Sequence, residues 1–180
     1  EMAKDELTMF LVTLLIAGNE TTRNAISGGI SQLIENPGER QKLIDRPALI
    51  PTAVEEIVRH VSPVLNFART ATQDTELRGR KIQKGAKVLL MYPSANRDAD
   101  VFTDPDAFKV DRDPNPHVAF GIGNHFCLGA NLARMEIRVV LEEVLTRLPN
   151  MEYTEGPPLM HPSLLVRSFT RMPVRFTPAA

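Results

Sequence analysis

The sequence predicts an α-rich α+β fold, and three observations point to it. Apolar residues recur at helical spacing over 5–35 and again over 128–148. Short strand-like runs fill 66–91, with glycines between them. The stretch 92–120 is rich in proline and aspartate and suits neither a long helix nor a strand. Helices and strands are thus segregated along the chain rather than alternating, which is the α+β pattern.

Each element follows in order. Over 5–35, Leu7, Phe10, Leu11, Leu14, Leu15, Ile16, Ile26, Ile30, Leu33 and Ile34 carry the helical period, and Asn36-Pro37-Gly38 stops it. A short helix is expected over 39–45, before Arg46-Pro47, and another over 52–60, ending at Ser62-Pro63. Strands are expected over 66–72, 75–78, 80–82 and 87–91, with Gly79 and Gly85 at turns. Pro105, Pro114 and Pro116 keep the next stretch irregular. The second long helix, 128–148, carries Leu128, Leu132, Met135, Val139, Leu141, Val144, Leu145 and Leu148, and Pro149 ends it. The tail, 151–176, reads as short strands and turns.

Composition narrows the function classes. The chain has 180 residues, 43% hydrophobic and 24% charged, with a net charge of −1. No basic excess suggests nucleic acid or an anionic membrane surface, and no apolar run is long enough to span a bilayer. The single cysteine, Cys127, rules out an internal disulfide and fits a reducing cytoplasm. A chain that opens at Glu1 inside a helical pattern is expected to be a fragment of a longer protein.

The most informative segment is Phe120-Gly121-Ile122-Gly123-Asn124-His125-Phe126-Cys127-Leu128-Gly129. It places a thiol where a glycine-rich loop turns into a helix. Free N–H groups at a helix start favour the thiolate, the form that binds metals, and the glycines let a bulky group approach the backbone. A lone cysteine is more often a buried core residue. A dinucleotide fingerprint fails because position 126 is Phe rather than Gly. Structural zinc lacks further ligands at the right spacing. A thiol hydrolase would need a histidine to meet the thiol, and His125 has no special reason to do so.

Two other segments stand out. Glu56 and Arg59 are i,i+3 on one helix and can pair, although most such pairs are solvated. In Ala17-Gly18-Asn19-Glu20-Thr21-Thr22 a mid-helix glycine costs about 1 kcal/mol relative to alanine, which a flat ligand against the helix would explain. Thr21 can bond back to the carbonyl of Ala17.

The cysteine segment resembles the signature of the cytochrome P-450 family, F-G-x-G-x-H-x-C-x-G in its bacterial form. The two other segments occur in the family's order. The resemblance covers essentially the whole chain and implies the C-terminal haem-binding half of that fold: the I, J, K and L helices plus small β-sheets, with the N-terminal half absent. It implies haem b (iron protoporphyrin IX) as cofactor, with Cys127 as its thiolate ligand. Ala17, Gly18, Phe120, Gly121 and Gly129 would lie against the haem, and His125 and Arg69 would hold its propionates. Glu20 and Thr21 match the acid–alcohol pair that delivers protons to bound dioxygen. Glu56, Arg59 and Arg112 match a buried network that holds the cysteine loop. Val64, Leu65, Phe67 and the tail residues 164–166, Leu165 among them, would wall the substrate pocket.

The function so implied is a monooxygenase that inserts one atom of dioxygen into a small apolar substrate. Electrons would come from a ferredoxin or similar redox partner, met by a basic patch including Arg112, Arg134 and Arg138, although a solvated helix face is the commoner role for residues such as Arg134 and Arg138. Ala-Gly-Asn-Glu-Thr-Thr-Arg-Asn and Gly-Ala-Asn-Leu-Ala-Arg-Met are similar to members that hydroxylate steroid side chains or branched lipids. The alternative is a truncated, haem-free unit that self-associates through its exposed distal face. A peroxide-using relative is disfavoured by the Glu20–Thr21 pair.

Overall fold

The computed structural model describes residues 2–177. Helix α1 (Lys4–Glu35) opens with Asp5 and Glu6 in its first turn, where acidic groups complement the helix dipole. Glu6 reaches back to accept the Ala3 N–H at 2.9 Å. At the other end the Asn36 amide donates to the Gln32 carbonyl at 2.9 Å. Helix α2 (Pro37–Asp45) starts at once, two residues earlier than expected. Pro37 cannot extend α1, but its missing N–H is no loss at the first position of a new helix. A 3-10 turn (Pro47–Leu49) leads into α3 (Ile50–Val61), with Pro51 in its first turn. Ser62 ends α3 at φ 44°, and its hydroxyl donates to the Arg59 carbonyl at 2.7 Å.

The second half of α1 packs on α3, and α5 (Ala130–Arg147) packs on both. Leu33, Ile57, Val110 and Ile137 are fully enclosed at the centre of this core. The first half of α1 lies outside it: Leu7, Phe10, Leu11 and Leu14 are exposed, and Leu15 reaches 72% exposure. One continuous periodic helix therefore occupies two environments.

The close approach of α1 to α3 depends on two glycines. A Cβ on Gly28 would lie 2.6 Å from a Val61 methyl, and one on Gly29 2.8 Å from Ile57. Gly28→Ala gains about 1 kcal/mol of helix propensity, but the overlap costs roughly 1–3 kcal/mol. The variant is expected to be less stable in urea, and Val61→Ala in the same chain should recover part of the loss. An unchanged or raised midpoint would mean the helices separate freely.

Among the described residues the strands form four two-stranded antiparallel sheets. β1 (Asn66–Thr70) pairs with β4 (Lys87–Met91), placing Phe67 opposite Leu90 and Arg69 opposite Val88. β1 stops two residues short of the expected end. β2 (Thr75–Leu77) pairs with β3 (Arg80–Ile82), and Arg78 leaves the strand because it turns at φ 49° beside Gly79. One helical turn, α4 (Tyr92–Ala95), interrupts the stretch expected to be irregular. In the tail, β5 (Glu152–Tyr153) pairs with β8 (Val174–Arg175), and β6 (Leu159–Met160) with β7 (Phe169–Arg171). The tail returns beside the end of α3, where the Leu65 N–H donates to the Leu165 carbonyl at 2.8 Å. No helix among the described residues is long and apolar enough to cross a membrane.

Candidate functional site

The cysteine loop is shaped by its glycines. Gly121 and Gly123 sit at φ 71° and 66°, where a side chain would be strained. A 3-10 turn (Gly123–His125) follows, and the Cys127 N–H folds back to donate to the Phe120 carbonyl at 2.9 Å. Cys127 is exposed, which removes the reading of a buried core cysteine. Helix α5 begins at Ala130, not Leu128, so its free N–H groups start three residues beyond the sulfur. Leu128, counted with the helix from sequence, is 80% exposed.

Opposite α5, the expected ligand-facing turn of α1 is open. Gly18 and Gly129 border one cleft of about 600 Å³ between the two helices, with Leu14, Thr22, Leu132 and Ala133. A Cβ on either glycine would meet nothing within 4 Å, so no packing within the chain requires glycine there. Ala17, Glu20, Thr21, His125 and Cys127 do not line this cleft. The Thr21 hydroxyl donates to the Ala17 carbonyl at 2.7 Å, as Thr8 and Thr13 do to Lys4 and Met9, so the bond is ordinary helix behaviour. The Glu20 carboxylate is held by Arg23 one turn on, at 2.6 Å.

A buried ionic network ties α3 to the irregular segment that precedes the cysteine loop. Glu56 and Arg59 are both fully enclosed, and Arg112 nearly so. Arg59 grips Glu56 through Nε at 2.7 Å and Nη2 at 2.8 Å. Arg112 Nε reaches the same carboxylate at 3.0 Å, joined by the Asn115 amide and the Lys109 N–H. The remaining guanidinium protons fall on the carbonyls of Asn96, Thr103, Asp104, Pro105 and Ala107. Every charge therefore meets an opposite charge or a backbone dipole, as burial demands. Arg112 faces inward, so it cannot serve in an exposed basic patch.

A second network was not legible in the sequence. Glu55, beside Glu56 on α3, accepts from Arg134 Nε at 2.6 Å and Nη2 at 2.9 Å. It also meets His117 Nε2 at 3.0 Å. The Ala119 N–H points at His117 Nδ1, 3.3 Å away, which leaves Nε2 as the protonated nitrogen that donates to Glu55. The Arg134 guanidinium lies over the Phe120 ring, 4.6 Å from its centroid. Arg134 is thus neutralised and half-buried instead of presenting charge to a partner, whereas Arg138 is exposed beside Glu142.

Burial alone would raise the Glu55 carboxyl, but the donors from His117 and Arg134 outweigh it and hold it at about 2, against an ordinary 4.5. A depressed carboxyl contributes stability above its unfolded value and loses it as pH falls through the folded one. Stability should therefore decline between about pH 4.5 and about pH 2. Urea midpoints at about pH 5 and about pH 3 should differ less for Glu55→Gln than for the native chain; equal declines would remove Glu55 from the titration.

The remaining candidates lie on or just before β1, in the cysteine loop and in the tail. Arg69 is exposed on β1 and pairs with no carboxylate among the described residues. His125 is exposed in the cysteine loop. Val64 bridges Val166, Leu65 bonds Leu165, and the Phe67 ring stands edge-on to Tyr92, so these residues form one partly exposed wall. Cys127, His125 and Arg69 offer an exposed thiol, imidazole and guanidinium, donors that a metal-bearing group with carboxylates could use. Among the described residues no three His, Cys, Asp or Glu side chains converge on a metal position.

Comparison with known proteins agrees with this chemistry. The sequence profile described as Cytochrome P450 matches residues 1–175. The chain is 46% identical to the steroid C26-monooxygenase of Mycolicibacterium smegmatis, over 99% of its own length and 45% of that relative. It is 52% identical to the methyl-branched lipid omega-hydroxylase of Mycobacterium bovis, over 87% of its length and 37% of the relative. A Bacillus megaterium protein solved with testosterone superposes with a TM-score of 0.94 at 40% identity, covering 98% of this chain and 49% of that one. The chain spans about half the length of the curated relatives it matches. With a profile match over nearly every residue and the fold shared in space, the chain belongs to the cytochrome P450 family.

Proposed function

We propose that residues 1–180 are the C-terminal haem-binding portion of a monooxygenase domain, in which Cys127 is the axial ligand of haem b. The observation that carries this reading is an exposed thiol on a glycine-shaped loop, its N–H held by the carbonyl of a Phe120 that packs under Arg134. When bound, the haem supplies dioxygen activation and transfer of one oxygen atom to the substrate. The chain's own residues would do the rest. Cys127 provides the thiolate, and Gly18 and Gly129 leave room for a flat face. His125 and Arg69 meet the carboxylate edge, with Ala17, Phe120 and Gly121 alongside. Thr21 has lone pairs free to hold a water, because its proton is already given to Ala17. Glu20 can pass protons once Arg23 swings away from it.

The substrate would be a small apolar molecule held by Val64, Leu65, Phe67 and Leu165. Steroids and methyl-branched lipids are the first to try, given the relatives' names. Electrons would come from a ferredoxin-like partner in the cytoplasm. The test is turnover of such substrates by the haem-loaded chain with a ferredoxin and its reductase. Thr21→Ala or Glu20→Gln should cut product on the order of 10²-fold while peroxide rises. Unchanged product in both variants would remove the acid–alcohol pair from the mechanism.

A second reading has its own support. Exposed apolar side chains on the first half of α1, and Leu132, Met135 and Val139 on α5, form a surface that a further copy could bury. On this reading the chain is a haem-free unit that self-associates. Sedimentation with and without haem separates the two, since only the first reading predicts haem uptake by a monomer.

A further inference from the structure

The Glu55–Arg134 pair has no part in the chemistry described above, yet it reaches the loop that carries the thiol. Glu55 fixes both branches of the Arg134 guanidinium. The guanidinium covers one face of Phe120. His117 holds the same carboxylate, and its ring packs on Phe120 at 5.9 Å. Phe126 closes on Phe120 from another side at 6.3 Å. The Phe120 carbonyl, in turn, is the acceptor that holds the Cys127 N–H.

We propose that Glu55 and Arg134 are positioning residues for Cys127. By clamping Phe120 between α3 and α5, they fix the peptide that orients the sulfur. This rests on the reading of Cys127 as the iron ligand. The buried Glu56 network anchors the irregular segment as a whole, while the Glu55 pair acts locally on the ring and carbonyl adjoining the thiol. A bidentate contact combined with stacking requires a planar guanidinium, which a lysine cannot replace.

The experiment compares the full chain with Arg134→Ala, Arg134→Lys and Glu55→Gln, using Arg147→Ala, an exposed pair on the same helix, as control. Amide hydrogen exchange is read at Gly121, Phe126 and Cys127, without haem. The red-shifted fraction of the reduced carbon monoxide complex is read after haem is added. Arg134→Ala should speed exchange at Cys127 about tenfold, with α3 amides unchanged, and lower the red-shifted fraction. Arg134→Lys should not rescue either signal, and Arg147→Ala should match the native chain. Native exchange and spectrum in Arg134→Ala, full rescue by lysine, or a uniform rise across α3 and α5 would each overturn the proposal. If the native chain gives no red-shifted band, the ligand reading fails, while the exchange measurement still decides whether the pair orders the loop.

Discussion

Arg59→Ala is expected to destabilise the chain by about 3–5 kcal/mol, the cost of removing one partner from a buried ion pair. Two effects combine. Glu56 loses its two strongest donors while remaining fully enclosed, so its charge depends on Arg112, Asn115 and one N–H. The carbonyls of Asn96 and Pro105 also lose the guanidinium. A domain of this size holds about 5–15 kcal/mol of stability in total, so the variant should be largely unfolded at 37 °C or soluble only in low yield. Arg59→Lys should recover little, because a point charge cannot serve a carboxylate and three carbonyls at once. Buried ion pairs can sometimes be exchanged for apolar residues without loss. Here that route is closed, because the loop carbonyls would remain without donors. Urea denaturation of Arg59→Ala, Arg59→Lys and Glu56→Gln would decide it, and a loss under about 1 kcal/mol in Arg59→Ala would place this network on the level of a surface pair.

How much of this was legible in the sequence depends on how far apart the partners lie. The Glu56–Arg59 contact is three residues long and follows from helix geometry alone. Arg112 lies 56 residues from Glu56, and only the family resemblance pointed to it. The Glu55–His117 and Glu55–Arg134 contacts span 62 and 79 residues, with no period or motif to join them. Arg134 therefore read as part of an exposed basic patch. Element boundaries shifted by about two residues wherever a proline could open a helix as well as close one, as at Pro37. Periodicity also says that a helix has an apolar face without saying what covers it. That is why Leu7 to Ile16 read like the segment holding buried Ala25 and Leu33 yet lie exposed. The hydroxyls of Thr21 and Thr22 point to a different limit: adjacent residues with one side-chain chemistry occupy different faces, and only Thr22 is buried.

Cys127→Ala should separate ligation from folding. The side chain is exposed, so its loss should change stability by no more than about 0.5 kcal/mol. A cysteine that served the core would cost far more, since truncating a buried apolar side chain opens a cavity. Haem added to the native chain, reduced under carbon monoxide, should give the strongly red-shifted Soret band of thiolate ligation. The variant should lose that band entirely, because no second cysteine exists to replace the ligand. His125, two residues away and also exposed, could capture the iron in the variant, and an unshifted band would report it. Cys127→Ala/His125→Ala then distinguishes histidine capture from loss of haem. The opposite pattern, in which stability falls by about 2 kcal/mol or more and the spectrum does not change, would return Cys127 to a packing role and leave the iron to another ligand.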